Sequence, residues 1–144
     1  MLTLAPARQE DVPRLFQLNR ELIDRYEDLS SIDYDRVLHW VQENIQRQLP
    51  YFSRILYGGE IAGYFCLAET EGSWELDSLF LLPSFQRKGI GTWVLRHCQE
   101  QCPSLFLYVF RNNAGAVRLY EKMGFSITKE VGKTRYIMEW KNQD

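Results

Sequence analysis

A chain of 144 residues that is 45% hydrophobic and 25% charged has the composition of one domain, expected to span residues 1–144, with a substantial buried core. Seventeen basic against nineteen acidic residues leave a net charge of −2, which excludes a broad electrostatic footprint for nucleic acid. No apolar run is long enough to cross a membrane, and the N-terminus turns polar at Gln9-Glu10-Asp11, so a cytoplasmic protein without membrane contact is expected.

Residues 2–7 alternate in side-chain character and read as a first strand. Glu10, Asp11 and Pro13 mark a helix start, and Val12, Leu15, Phe16, Leu22, Ile23 and Tyr26 recur at helical spacing as far as Glu27. After a connector over 29–32, Asp33 caps a second helix with an apolar stripe of Val37, Leu38, Val41, Ile45 and Leu49, ended by Pro50. Residues 51–57 and 61–70 read as strands joined at Gly58-Gly59, and Gly72-Ser73 turns into a third antiparallel strand at 74–82. A helix over 89–101 stops at Cys102-Pro103. The near-continuous apolar run 104–110 then predicts a strand buried on both faces and parallel to the one at 74–82. A last helix at 113–123 stops at Gly124, and 125–131 with 134–141 close as a hairpin over Gly132-Lys133. Cys66, Cys98 and Cys102 contain no C-x-x-C pair and are an odd number, so neither a disulfide framework nor a metal site is expected.

The chemistry concentrates where the strand at 74–82 runs through a polar turn into the next helix. Gly89 and Gly91 permit close backbone approach, free N–H groups at a helix start point toward negative charge, and Gln86, Arg87 and Lys88 add donors. This is the layout of a diphosphate site. It is not a P-loop, since no G-x-x-x-x-G-K-[ST] run exists, and the third Gly or Ala of a dinucleotide fingerprint is replaced by Val94.

The pattern Gln86-x-x-Gly89-x-Gly91 resembles the acetyl-coenzyme A pyrophosphate loop of the GNAT superfamily of N-acetyltransferases. A second stretch, from Asn113 through Ala116 and Tyr120 to Glu121-Lys122-Met123-Gly124-Phe125, is similar to that family's other signature. The resemblance implies a mixed α/β domain, with a mostly antiparallel sheet of about seven strands flanked by four helices. It further implies that the fourth and fifth strands splay at a β-bulge to admit the pantetheine arm of acetyl-CoA.

By the same resemblance, the backbone of Leu79, Phe80 and Leu81 pairs with that arm, and Gln86, Arg87, Lys88, Gly89, Ile90, Gly91 and Thr92 hold the pyrophosphate. Asn113 caps the last helix and touches the arm. Tyr120 matches the family's general acid, because a phenol can protonate a departing thiolate. Glu75 and Asp77, two apart on the strand entering the bulge, share a face, and either is a candidate base toward the amine, directly or through water. A backbone N–H near Leu81 is a candidate oxyanion donor.

The expected acceptor is a primary amine, on a small molecule or as a protein lysine or N-terminus, and the expected assembly is a monomer or homodimer without a metal. An acyl-CoA sensor without turnover is the alternative. Glu21, Asp24, Glu27, Asp28, Asp33 and Asp35 form an acidic run that either solvates a helix face or draws in a cationic acceptor.

Overall fold

The computed structural model describes residues 1–143, which build a seven-stranded sheet with α-helices on both faces. Strands β1 (Leu2–Pro6), β2 (Phe52–Tyr57), β3 (Glu60–Thr70) and β4 (Ser73–Leu81) are antiparallel neighbours. Strand β5 (Ser104–Phe110) lies parallel to β4, and β7 (Arg135–Lys141) sits between β5 and the edge strand β6 (Ser126–Val131). Helices α1 (Val12–Tyr26) and α2 (Tyr34–Gln48) follow β1, while α3 (Ile90–Gln101) and α4 (Ala114–Lys122) flank β5 in sequence. Among the described residues, no helix is long and apolar enough to cross a membrane.

Two cores form because each pair of helices has one apolar stripe to bury. Val12, Leu15, Val41 and Ile45 of α1 and α2 pack on Phe52, Tyr64, Cys66 and Phe80 of β2 to β4. Ile90, Val94, Leu95 and Tyr120 of α3 and α4 pack on the opposite face against Ile55, Leu76, Leu107 and Met138. Full burial of a side chain such as Leu15 or Ile45, 0% and 2% exposed, contributes about 1.5–3 kcal/mol.

The expectation that β5 is buried on both faces is corrected. Its residues alternate, and Tyr108 is 45% exposed, because no residue of β6 or β7 belongs to the core that α1 and α2 build. Those helices leave this half of the face open. The three cysteines are free and buried.

One packing device was invisible in the sequence. Asp11 is 4% exposed and accepts hydrogen bonds from Arg54 Nε (2.8 Å) and Nη2 (3.1 Å), the Tyr64 hydroxyl (2.9 Å) and the Arg8 amide (2.7 Å). Burial pushes its carboxyl up, but these donors outweigh burial and hold it below the ordinary 3.8. The network pins the start of α1 to β2 and β3.

Candidate active site

Strands β4 and β5 register at Glu75 and Phe106 alone, then separate. The cause is in β4. Cys66 faces Ser78 while Leu67 faces Leu76, so Asp77 is an extra, bulged residue. The bulge inverts the side-chain alternation, since Leu76 packs with α3 and α4 whereas Phe80, four residues on, packs with α1 and α2. Without it, both would share a face.

Past the bulge, the unpaired backbone of β4 lines the gap. The Leu82 amide donates to the Ala62 carbonyl on β3, so alternation directs the Leu81 and Leu79 N–H and C=O groups toward the open side. Phe80 does not share that orientation, which corrects the expectation that three consecutive residues offer their backbone. Its carbonyl is aimed into β3, where a Cβ on Gly63 would lie 2.0 Å from it. Gln86 Nε2 donates to the Leu81 carbonyl at 3.1 Å, tying the turn to the gap.

The turn is shaped for an anion. Arg87 (φ +62°) and Gly89 (φ +77°) are both left-handed, a conformation that costs a non-glycine residue about 1 kcal/mol and is therefore strain held at Arg87. Gly89 caps α3 without a side-chain hydrogen bond, and the first helical bond runs from Trp93 N–H to Gly89 carbonyl. The amides of Ile90, Gly91 and Thr92 therefore remain without helical acceptors. Arg87 and Lys88 are exposed, and neither pairs with an acidic side chain among the described residues. A Cβ at Gly89 would meet no atom within 4 Å, whereas one at Gly91 would press on Leu119 Cδ2 at 3.1 Å. Gly91 thus serves helix packing as well as approach. The Ile90 side chain is core, 1% exposed.

Glu75 and Asp77 lie within hydrogen-bonding reach of one another on the α1/α2 side, where Asn44 of α2 donates to Asp77 Oδ2 at 3.4 Å. Burial first, and the Asp77 carboxylate second, push Glu75 up to about 7. Tyr120 lies on the other side of the sheet, 9% exposed and with its ring 5.7 Å from that of Phe125. Its phenol is pushed up to about 12, by burial and then by Cys98 beside it. Asn113 caps α4 by accepting from the Ala116 amide at 3.4 Å.

A cavity of about 60 Å³ opens beside the carboxyl pair, lined by Asn19, Trp40, Val41, Asn44, Ile45, Phe52, Asp77 and Ser78. Apart from Asp77, none of these residues stood out in the sequence as functional, because they come from α1, α2, β2 and β4. A larger cavity, about 310 Å³ between Trp74 and Trp140, lies at the far end of β4 and β5 and holds no expected site residue. Among the described residues, no group of three or more His, Cys, Asp or Glu side chains could hold a metal.

Much of the acidic run is engaged in structure. Asp24 accepts from the Tyr34 hydroxyl at 2.6 Å, Asp28 and Asp33 cap the helical turns that follow them, and Glu27 accepts from Thr134. Glu21 accepts from Gln17. These bonds fasten the helix ends and the connector between them.

Known proteins place the chain in a family. The family profile described as Acetyltransferase (GNAT) family matches residues 15–125. The peptidyl-lysine N-acetyltransferase YjaB of Salmonella typhimurium is 27% identical over 128 residues, covering 89% of this chain and 86% of that one. The spermine/spermidine N(1)-acetyltransferase of Bacillus subtilis is 36% identical over 62 residues, covering 39% of this chain and 41% of that one. The crystal structure of the PaiA N-acetyltransferase of Thermoplasma acidophilum in complex with coenzyme A superposes with a TM-score of 0.74 at 21% identity, covering 99% of each chain. With the bulged β4, the gap beside β5 and the glycine turn into α3 in place, this chain belongs to the GNAT family of acetyltransferases.

Proposed function

We propose that this protein transfers the acetyl group of acetyl-CoA directly to a primary amine, on a small molecule or on a protein. One observation carries the reading: the gap between β4 and β5 has a carboxyl pair on one face of the sheet and the Tyr120 side chain on the other. Acetyl-CoA supplies the acyl group as a thioester. The exposed Arg87 and Lys88, with the amides of Ile90, Gly91 and Thr92, suit its diphosphate, and the Leu79 and Leu81 backbone suits its extended arm.

Glu75 and Asp77 would take the proton from the amine. A base with a pKa near 7 is well matched to neutral solution, being substantially ionised while still a competent acceptor. The Leu81 N–H, directed into the gap, would stabilise negative charge on the carbonyl oxygen. Tyr120 would face the departing sulfur. At about 12 its phenol keeps its proton at neutral pH, and it is a weaker acid than an ordinary thiol of pKa about 8.5, so it acts first by hydrogen bonding to the thiolate.

The relatives named for protein lysine and for spermine or spermidine both act on primary amines, which supports the acceptor class. The test is thiol release from acetyl-CoA across a panel of amines, lysine peptides and peptide N-termini. Cofactor binding without release for any acceptor would overturn turnover and leave an acyl-CoA-binding module.

A further inference from the structure

We infer that Gly63 of β3 sets the width of the gap between β4 and β5: because it carries no side chain, the end of β4 leans onto β3 and leaves room for the cofactor arm on its other side. This rests on the reading above that the arm lies in the gap. It adds the residue that holds the gap open before the arm arrives.

The space at Gly63 is filled by backbone. An added Cβ would lie 2.0 Å from the Phe80 carbonyl oxygen, 3.0 Å from its carbon and 3.1 Å from Leu81 Cα, so no side chain can turn aside to admit it. The Gly63 backbone is not left-handed, so the position requires room rather than a rare conformation.

Strand β3 is shaped for this approach. Ile55 faces Gly63 while the next residue of β2, Leu56, faces Ile61, so Ala62 is an extra, bulged residue. The Ala62 carbonyl accepts from the Leu82 amide at 2.8 Å, which ties the chain just past β4 to that bulge. Two bulges thus act in sequence. The one at Asp77 frees the β4 backbone, and the one at Ala62, beside Gly63, draws the freed segment toward β3 and away from β5.

Which strand would yield to a Cβ follows from what stands behind each. Strand β3 is paired with β2 on its far side, and Tyr64, next to Gly63, donates its hydroxyl to the buried Asp11 at 2.9 Å. Strand β4 has no paired neighbour past Glu75 on the side of β5. A methyl group at position 63 therefore drives Phe80 and Leu81 into the gap, by about 1.5 Å to reach ordinary contact. Hydrogen bonds from Leu79 and Leu81 to an arm tolerate far less than that. The amides suited to the diphosphate belong to α3, whose Ile90 is anchored in the other core, so they stay in place.

The experiment measures, by calorimetry, binding of coenzyme A and of adenosine 3′-phosphate 5′-diphosphate, the same molecule without the arm, to the wild type and to Gly63→Ala. The wild type should favour coenzyme A by at least about tenfold. In Gly63→Ala coenzyme A should weaken about 10- to 100-fold, as the bonds from Leu79 and Leu81 are lost, while the armless nucleotide stays within about threefold. An unchanged ratio between the two ligands in the variant, whether both hold or both weaken, would overturn the role of Gly63. A wild type that binds both ligands equally would instead overturn the placement of the arm in the gap. Hydrogen exchange in the ligand-free wild type needs no variant: the Leu82 amide, held by Ala62, should exchange at least about tenfold more slowly than those of Leu79 and Leu81. Equal rates would show that β4 is not held against β3 and overturn the proposal, even where Gly63→Ala fails to fold.

Discussion

Replacing Glu75 with Gln should make the protein more stable at alkaline pH and far less active. Glutamine has the shape and donor capacity of the protonated carboxyl and can still donate to Asp77, but it cannot ionise. In the folded chain Glu75 stands at about 7 against an ordinary 4.5. Below pH 4.5 both folded and unfolded chains hold the proton, and the stability linked to it is fully present. Between 4.5 and 7 the unfolded chain releases it first, so stability falls as pH rises, and above 7 the loss is complete. At about 1.4 kcal/mol for each tenfold in proton affinity, that loss is about 3 kcal/mol. Glu75→Gln should therefore match the wild type in urea denaturation at pH 4 and exceed it by about 3 kcal/mol at pH 8.5, or about 6–12 °C in Tm. Its kcat/KM should fall about 100-fold, and the wild-type profile should rise with pH through a limb centred near 7. A stability difference that is the same at both pH values would refute the raised carboxyl at Glu75 and the base assigned to it.

Tyr120→Phe should lower kcat about 100-fold with little change in acetyl-CoA KM; its urea midpoint should hold, since no group among the described residues hydrogen-bonds the hydroxyl. Wild-type turnover would make Tyr120 a packing residue. Gly89→Ala places a Cβ at φ +77° and should cost about 1 kcal/mol in stability through strain, while weakening acetyl-CoA binding at least tenfold; unchanged affinity by calorimetry would remove the turn from the cofactor site. Asp11→Asn leaves the half-buried Arg54 with only the exposed Glu10 as a carboxylate partner and should lower the urea midpoint at pH 7. Because the folded Asp11 is held below 3.8, the wild type should lose that advantage as pH drops through the lowered value; a variant with an unmoved urea midpoint at pH 7 would contradict the network.

What the sequence alone determined is what short windows encode. The alternation of residues 2–7, the stripe from Val37 to Leu49 and the glycine turns set the elements and their order, because period and turn chemistry act over a few residues. The polar turn from Gln86 to Thr92 and the Asn113 cap were legible for the same reason, each being a backbone conformation written in its own residues. The tertiary structure decided what depends on strand register and on meetings across long separations. That Asp77 bulges follows from how β3 pairs with β4, and that one extra residue turns Leu76 and Phe80 to opposite faces and frees the backbone of Leu79 and Leu81. The sequence left the acidic run open between a solvated helix face and a draw for a cationic acceptor, and only the fold brought its carboxylates to Tyr34, Thr134 and the capped turns. Asp11 met Arg54, and Asn44 met Asp77, only on folding. Pairings of that kind depend on which faces the two cores bury, and this is settled by packing the whole chain at once.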